Sequence, residues 1–303
     1  AVITSAGRLT YDEVRDALLS DGAAAREALA RHLPMLETAL ELARLLAAKR
    51  REQGSLDFEL PEPECRFDGS GAVVAVEPRD NHFIHKLIEV FMVAANEAVA
   101  RYLMDRDMPV LYRVHPAPDS GKLRNLFHIL SITGLLPQDA PAPRKESAPP
   151  TPGQLQGLLE RAKGTPHEYL VSRVALRSMM QAGYSQDLEG HFGLGSECYC
   201  HFTSPIRRYA DLVVHRSLKA ALDTPDKSRL PGRKKLPEIA DHINATERTA
   251  MEAEREINRP LSVLFMSGRV GEAVAGIISG LPDFWLFVEL DGVMAEGMIR
   301  LMD

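Results

Sequence analysis

The polar block HFTSPIRRY, at residues 201–209, is the part of this sequence whose residue types and spacing point most directly to chemistry. Ser204 and Pro205 are typical of the N-cap and the first position of a helix. Thr203 and Ser204 would then lie at a helix start, where unpaired N–H groups favour an anion. Arg207, one turn further on, would add a guanidinium able to hold a phosphate through two hydrogen bonds. The block therefore predicts a phosphate-binding site.

A second face of the same predicted helix carries Arg208, Asp211 and His215. Their spacing of three and four residues places the side chains on one side of a helix, where we expect internal pairing. The alternative interpretation of the whole block is a capped helix with one or two ion pairs and no ligand. Spacing alone leaves both interpretations open.

The charge of the chain is unevenly distributed. The formal net charge is −6, which by itself argues against a nucleic-acid partner. Between residues 173 and 235, however, eleven Lys and Arg residues face six Asp and Glu residues, a local balance of +5. Backbone phosphates respond to the local field rather than to the total charge. This stretch is compatible with a nucleic-acid partner and equally with a solvated surface of uneven charge.

Helices must position these residues, and the apolar spacing, together with capping signals, predicts where they lie. The predicted helices cover residues 11–19, 23–51, 81–105, 123–130, 153–162, 167–182, 204–222 and 238–266. Thr10 and Glu13 have the spacing of a capping box that opens the first of them. Pro34 is expected to bend or break the second helix and Pro260 to kink the last.

Strands are predicted where apolar residues alternate or form short runs between turn residues. Leu56, Phe58 and Leu60 alternate, and with the turn at residues 68–71 and a strand at 72–76 they predict a hairpin. Further strands are predicted at residues 110–114, 273–278 and 285–290. The proline-rich segment 137–152 is predicted to be an exposed loop.

The bulk composition fits a large globular domain with a smaller piece attached, since the chain has 303 residues and 45% hydrophobic residues. No apolar run approaches the ~18 residues that a membrane span needs, and the start has no features of a signal peptide. Cys65, Cys198 and Cys200 are odd in number and lack zinc spacing, so we expect reduced thiols in a cytoplasmic protein without a membrane partner.

The segment around the polar block, HFGLGSECYCHFTSPIRRYADLVVHR, resembles the signature of the RNB catalytic domain of the ribonuclease II / ribonuclease R family. Five further segments resemble parts of that family in the same order, namely SAGRLTYDEV, GSLDFELPEP, IHKLIEVFMVAANEAVARY, VLYRVHPAP and SRVALRSMMQAGYS. VGEAVAGIISGLPDFWLFVEL resembles the first strands of the OB fold that follows the domain. The resemblance implies an α+β fold, a mixed sheet wrapped by helices. Residues 1–266 would be the carboxy-terminal part of the RNB domain and residues 267–303 an incomplete OB-fold barrel.

The resemblance implies a processive 3′-to-5′ exoribonuclease that hydrolyses single-stranded RNA to nucleoside 5′-monophosphates. By resemblance, Arg207 is the catalytic arginine that grips the scissile phosphate, and we expect its neighbours Thr203, Ser204 and Arg208 to bind RNA as well. The alternative is an inactive homologue that binds RNA 3′ ends without cutting.

Four other residues resemble RNA-binding positions of the family. Tyr11 would place the terminal nucleotide, Phe58 would stack on the last base, and Glu89 would contact the terminal ribose. Glu254 would contact the end of the RNA. The plainer interpretations are that Tyr11 and Phe58 are core aromatics and that Glu254 belongs to a solvated charge run. Glu89 adjoins apolar positions of a helix face predicted to be buried, where a carboxylate requires a partner.

The family's hydrolysis implies divalent metal ions, with Mg²⁺ expected, held by clustered aspartates in a segment that should precede Ala1. The acidic residues near the start of this chain lack the spacing of an inward-facing cluster; they are Asp12, Asp16, Asp21, Glu59, Glu62 and Glu64. We therefore expect no metal ligands in this chain, which would be an inactive fragment by itself, and a partner in the missing amino-terminal segment of the same protein.

Overall fold

The computed structural model describes residues 2–20, 22–58, 63–78, 82–137, 149–222, 230, 232–280, 284–291 and 295–301. Within these ranges the helices are α1 Tyr11–Leu18, α2 Ala23–Ala28, α3 Leu33–Glu52, α4 Phe83–Met104, α5 Ser120–Ile132, α6 Pro152–Ala162, α7 Glu168–Ser178, α8 Tyr209–Ala221 and α9 Leu236–Ser267. The strands are β1 Pro63–Phe67, β2 Val73–Pro78, β3 Tyr112–Val114, β4 Gly183–Ser185, β5 Gly276–Gly280, β6 Trp285–Leu290 and β7 Glu296–Arg300. Short 3-10 turns occur at Phe192–Leu194 and Arg233–Lys235.

The start of α1 confirms the predicted capping box. The N–H of Glu13 donates to the Thr10 hydroxyl at 3.3 Å, and the N–H of Thr10 donates to the Glu13 carboxylate at 2.7 Å. Each bond satisfies an N–H group that the helix itself leaves unpaired. Thr151 and Gln154 form a second capping box at the start of α6.

The predicted helix at residues 23–51 is two helices, α2 and α3. Pro34 lies in the first turn of α3 rather than at a bend within one long helix. A proline is tolerated in a first turn because its missing N–H would have had no partner there. Pro260, by contrast, lies inside the continuous helix α9.

The amino-terminal hairpin forms from β1 and β2, which pair antiparallel. The prediction that Leu56 and Phe58 belong to its first strand is wrong, because both lie outside any strand. Leu60 falls outside the described residues. Leu56 donates its N–H to the carbonyl of Gly193 at 2.9 Å, and both Leu56 and Phe58 pack against the core. The apolar alternation therefore reports side-chain burial rather than strand pairing.

The predicted mixed sheet is not found among the described residues, although the α+β class holds. The strands form three separate antiparallel sheets, β1–β2, β3–β4 and β5–β6–β7. Residues 198–200 extend the middle sheet, because the N–H of Arg113 donates to the carbonyl of Tyr199 at 2.9 Å. Helices consequently supply most of the core.

Apolar side chains from several helices form the core in four clusters. One joins α5, α6 and α7, and a second joins α1, α3 and α4. A third packs the end of α4 against β3 and α8, and the buried free thiols of Cys198 and Cys200 lie within it. Cys65 is also a free thiol, as predicted.

None of the helices in the described ranges combines the length and the apolar character that a membrane-crossing segment requires.

The carboxy-terminal sheet lies against α7 through charged groups. Arg173 forms ion pairs with Glu289 and, at 3.3 Å, with Glu296. Arg177 donates to the carbonyl of Ser279 at 2.9 Å. Because Arg173 and Glu289 are largely buried, the pair has a fixed geometry rather than that of a mobile surface contact.

Candidate functional site

The predicted helix start at Ser204 and Pro205 is wrong, because α8 begins at Tyr209 with Arg208 as its N-cap. Residues 204–207 form a turn, in which the N–H groups of Arg207 and Arg208 donate to the Ser204 carbonyl at 3.3 and 3.1 Å. The N–H of Ser204 donates in turn to the fully buried carboxylate of Asp211 at 2.7 Å. The carboxylate of Asp211, inside α8, thus accepts a hydrogen bond from the backbone of the turn that precedes the helix.

The backbone amides of this segment do not form the predicted anion site. The amides of Phe202 and Thr203 donate to Oδ1 of Asn96 at 2.9 and 3.2 Å. Since Ser204 donates to Asp211, all three consecutive N–H groups bond within the protein. A phosphate at this turn must therefore be held by side chains.

Asn96 is the residue that holds the segment in place, and sequence reasoning missed it. It lies on α4, is 2% exposed, and donates from Nδ2 to the Tyr199 hydroxyl at 3.0 Å. A buried amide needs partners for both its oxygen and its nitrogen, and Asn96 has both. The available signal was an amide side chain, that of Asn96, in the middle of the apolar helix predicted at residues 81–105.

Arg207 and Arg208 differ in what their side chains do. Arg208 binds the Asp211 carboxylate through Nε at 2.8 Å and Nη2 at 3.0 Å, which confirms the predicted internal pairing. Arg207 has an exposed side chain. His215, one turn beyond Asp211, pairs with Phe202: the ring centroids are 4.2 Å apart and its Nε2 lies 2.8 Å from the Phe202 carbonyl oxygen. Of the two arginines, only Arg207 extends from the turn without a carboxylate partner among the described residues.

The hydroxyl of Thr203 is a buried polar group without a hydrogen bond among the described residues. An unpaired buried hydroxyl costs free energy, so it indicates a position where a ligand or another group supplies the missing bond.

A row of aromatic and imidazole rings leads to the turn. The centroid distances are 5.1 Å from His115 to His191, 5.4 Å from His191 to Tyr199 and 5.7 Å from Tyr199 to His201. Burial, reinforced by the positive charge of nearby arginines, lowers the pKa of His191 and of His201 to about 3. Both imidazoles are therefore neutral at physiological pH.

Gly195 positions the loop that carries His191. Its backbone has a φ of +60°, and a Cβ at this position would lie 2.9 Å from the carbonyl oxygen of Gln53 at the end of α3. Only glycine fits both requirements without strain.

Three predicted RNA-binding residues lie on or near the first half of α4: Glu89 belongs to the helix, Tyr11 contacts it, and Phe58 follows a residue that contacts it. Tyr11, 44% exposed, packs against His85 with ring centroids 4.4 Å apart and ring planes tilted by 34°. Glu89 lies one turn beyond His85 and is exposed, so the prediction that it lies in a buried helix face and requires a partner is wrong. Asp57, next to Phe58, accepts from Lys86 at 2.8 Å.

Phe58 itself is partly buried against the cluster formed by α5, α6 and α7. Glu89 and Asn96 are seven residues apart, which places them on one face of α4 about 10 Å apart along its axis. α4 thus connects the neighbourhood of Tyr11, Phe58 and Glu89 with the turn that carries Arg207.

Glu254 is the predicted site residue that the described contacts do not join to the others. It is exposed on α9 and lies two turns beyond Glu247, about 10 Å further along the axis. Glu247 pairs with Arg113 of β3 at 2.7 Å. α9 therefore contacts the sheet beside the site, with Glu254 further out on the same face.

The residues described here do not fit a metal ion. No group of three or more His, Cys, Asp or Glu side chains in the described ranges is arranged to hold one. Asp211 binds Arg208, Asp16 pairs with Arg15 at 3.0 Å, and Asp57 pairs with Lys86 at 2.8 Å. Asp21, Glu59 and Glu62 lie outside the described residues.

Comparison with known proteins gives a consistent result. The model of the RNB domain matches residues 1–224. Ribonuclease R of Aquifex aeolicus is 42% identical over 99% of this chain and 42% of its own length. The structure of Mycoplasma genitalium RNase R in complex with ribose methylated single-stranded RNA superposes with a TM-score of 0.85 at 30% identity, covering 97% of this chain and 45% of that one.

A more distant likeness concerns the fold alone. Yeast Ssd1, described as a pseudonuclease, superposes with a TM-score of 0.71 at 21% identity, over 96% of this chain and 35% of its own. In each comparison the chain spans less than half the length of the relative that it matches.

Proposed function

Because the chain belongs to the RNB-domain family, we propose that its protein is an exoribonuclease that degrades single-stranded RNA processively from the 3′ end, releasing nucleoside 5′-monophosphates. The observation that carries the proposal is the fixed turn at residues 202–208. Asn96 and Asp211 occupy its amides, so that the exposed guanidinium of Arg207 remains for a phosphate, while the buried, unpaired hydroxyl of Thr203 becomes available only if the turn moves. A planar guanidinium is suited to hold a phosphate through two hydrogen bonds.

The RNA path that we propose follows α4. The 3′-terminal nucleotide lies near Tyr11 and Glu89, with the Glu89 carboxylate accepting from a ribose 2′-hydroxyl. Phe58 stacks on a base, an interaction worth ~1–3 kcal/mol per base. Glu254 contacts the RNA from α9. The support for this path is that α4 carries Glu89 and contacts Tyr11 through His85.

Ser204 and Arg208 have a different part in the proposal. The N–H of Ser204 and the guanidinium of Arg208 both bind Asp211, so the two residues fix the shape of the turn. Their contribution to RNA binding is to aim Arg207 rather than to hold phosphate themselves.

Hydrolysis in this proposal depends on Mg²⁺, whose usual contribution in nucleases is to stabilise the attacking and leaving oxygens. The described residues do not supply its ligands. We propose that aspartates encoded upstream of Ala1 supply them, and that this amino-terminal segment is the partner of the chain in the complete active site.

The domain arrangement and the location belong to the same proposal. Residues 1–266 form the carboxy-terminal part of the RNB domain, and residues 267–303 begin an OB fold. The antiparallel meander of β5, β6 and β7 supports the second assignment. The three free thiols support a cytoplasmic location, where cysteines stay reduced.

The second candidate function is an RNA-binding protein that holds 3′ ends without cutting. The observation that favours it is the lack of a metal site among the described residues. It shares the Arg207 turn with the first candidate and differs only in the chemistry.

The test begins with binding of the 303-residue chain to fluorescent single-stranded RNA, measured by anisotropy. Arg207→Ala should weaken binding about tenfold or more, as expected for loss of charge-assisted hydrogen bonds. The control is Arg101→Ala, which removes an exposed arginine from the last turn of α4. If wild-type chain fails to bind RNA, or if both variants behave alike, the Arg207 site is refuted.

Cleavage separates the two candidate functions. The protein with its encoded upstream residues is incubated with labelled RNA and Mg²⁺, and products are resolved by length. Stepwise release of mononucleotides supports the exoribonuclease. RNA that stays bound and intact supports the binding protein.

A further inference from the structure

We propose that His201 donates a hydrogen bond from Nε2 to a phosphate oxygen of bound RNA, and that Tyr184 is the positioning residue that keeps the proton on that nitrogen. The inference rests on the proposed function, because it adds a ligand-facing residue to the same site. His201 lies two residues before Thr203 and six before Arg207, in the segment that Asn96 fixes.

Tyr184 is held in one position by its surroundings. Its hydroxyl lies 2.8 Å from Nδ1 of His201. Its backbone N–H donates to Oδ1 of Asn244 at 2.8 Å, and Nδ2 of Asn244 donates to its carbonyl at 3.0 Å. The guanidinium carbon of Arg113 lies 4.6 Å from the ring centroid. Since the backbone and the ring face are both held, the hydroxyl points steadily at the imidazole.

Arg113 is itself held in place, and one of the residues that hold it lies on α9. Its Nη1 lies 2.7 Å from the Glu247 carboxylate, and its N–H donates to the Tyr199 carbonyl at 2.9 Å. Asn244 and Glu247 are one turn apart on α9, so one helix face holds both the backbone of Tyr184 and the arginine over its ring.

The proton positions follow from burial and charge. Burial raises the pKa of Tyr184 to about 12, so its hydroxyl keeps the proton. Burial and the charge of Arg208 lower the pKa of His201 to about 3, so the imidazole carries one proton only. A phenol is a better donor than acceptor, because its lone pair is delocalised into the ring. When Nδ1 accepts from the hydroxyl, the single proton lies on Nε2.

Nε2 is left free to bind a ligand. No described group forms a hydrogen bond with it, and it is not among the buried unpaired atoms, so it keeps access to solvent. Arg207 lies close enough for its charge to lower the pKa of His201. A neutral N–H donor and a cation therefore share one neighbourhood. A phosphodiester, with two free oxygens, is the group that can accept from both.

The first measurement is the tautomer of His201 in the free chain, read from long-range proton–nitrogen NMR spectra of a histidine-labelled sample. His201→Gln assigns the signal by removing it. We expect the pattern of an Nε2–H imidazole in wild-type chain and a mixture of tautomers in Tyr184→Phe. An Nδ1–H pattern in wild-type chain would overturn the role of Tyr184.

The second measurement is RNA affinity by anisotropy. His201→Leu should weaken binding about two- to tenfold, the effect of one neutral hydrogen bond. His201→Gln, whose amide nitrogen can reach the position of Nε2, should bind within about twofold of wild type. His128→Leu, which removes an exposed histidine of α5, is the matched control and should change nothing.

The outcomes distinguish this inference from the function on which it rests. If wild-type chain binds RNA and a folded His201→Leu binds equally well, the inference fails and the proposed function stands. If wild-type chain does not bind RNA, the proposed function fails and takes the inference with it. Should His201→Leu not fold, weakened binding by Tyr184→Phe supports the inference and unchanged binding overturns it.

Discussion

Asp211 accepts the backbone N–H of Ser204 at 2.7 Å, although its carboxylate belongs to the first turn of the helix that follows Ser204 in the chain. The same carboxylate binds the guanidinium of Arg208 at 2.8 and 3.0 Å. One buried acid therefore fixes both ends of the turn from which Arg207 extends. The geometry of the candidate phosphate site depends on a residue that does not itself face the ligand.

Replacing this acid should be costly. Asp211→Asn leaves the guanidinium of Arg208 without its charged partner in a largely buried position, and we expect the free energy of unfolding to fall by about 3 kcal/mol. Urea unfolding followed by circular dichroism measures the change. Asp241→Asn, at an exposed position of α9, is the control and should have almost no effect. Equal stability of the two variants would show that Arg208 finds another partner.

The sequence predicted the helices well where the signals are local. For α4, apolar spacing predicted residues 81–105 and the helix spans Phe83–Met104. The capping box of Thr10 and Glu13 opens α1 as predicted. In both cases a periodic apolar face or a pair of nearby side chains decides the structure, and both are visible in a short window of sequence.

The prediction from sequence was wrong where a residue distant in the chain determines the local backbone structure. Ser204 and Pro205 have the residue types of a helix start, yet the N–H of Ser204 is bound by Asp211 and those of Phe202 and Thr203 by Asn96, more than 100 residues away. Capping propensities describe local competition only and take no account of a buried amide from another helix. The predicted helix start is therefore a turn, and its backbone amides are not available to an anion.

Asn96 provides the next test. Asn96→Ala removes the acceptor of two partly buried N–H groups, and each unpaired group costs up to about 1–3 kcal/mol. We expect faster hydrogen exchange at the amides of Phe202 and Thr203 and weaker RNA binding, with α1 and α6 unchanged. Asn125→Ala, at an exposed position of α5, controls for loss of an amide. Unchanged exchange at residues 202 and 203 would contradict the assigned role.

Stability should depend on pH through the two buried histidines. The pKa of His191 and of His201 is about 3 in the folded chain and about 6.5 for an unfolded histidine. Between these values the unfolded state binds more protons, so stability is complete above pH ~6.5 and decreases as the pH falls towards ~3. Each histidine can contribute at most about 1.4 kcal/mol per pH unit.

The groups that oppose protonation are identified for both histidines. Burial is the largest cause that lowers the pKa of each histidine. The positive charges of Arg208, Arg113 and Arg207 lower the pKa of His201 further. His115, Arg113 and Arg50 act on His191. Urea unfolding at pH 7, 6 and 5 should show a smaller loss of stability for His201→Gln than for wild type, because glutamine does not titrate. Parallel curves for the two proteins would refute this assignment.

The last prediction concerns how the carboxy-terminal sheet is attached to α7. The Arg173 and Glu289 side chains are 16% and 17% exposed, so losing one partner leaves a largely buried charge without compensation. Arg173→Met should therefore weaken the attachment by roughly 2 kcal/mol. Hydrogen exchange in β6 and β7 should become faster while α4 stays protected. Arg177→Met is the comparison variant: the Arg177 side chain is 53% exposed, its nitrogen lies 3.9 Å from Glu296, and it donates one hydrogen bond to the Ser279 carbonyl, so the loss should be smaller than for Arg173→Met but not zero. If both variants leave exchange in β6 and β7 unchanged, apolar contacts rather than the ion pairs hold the sheet.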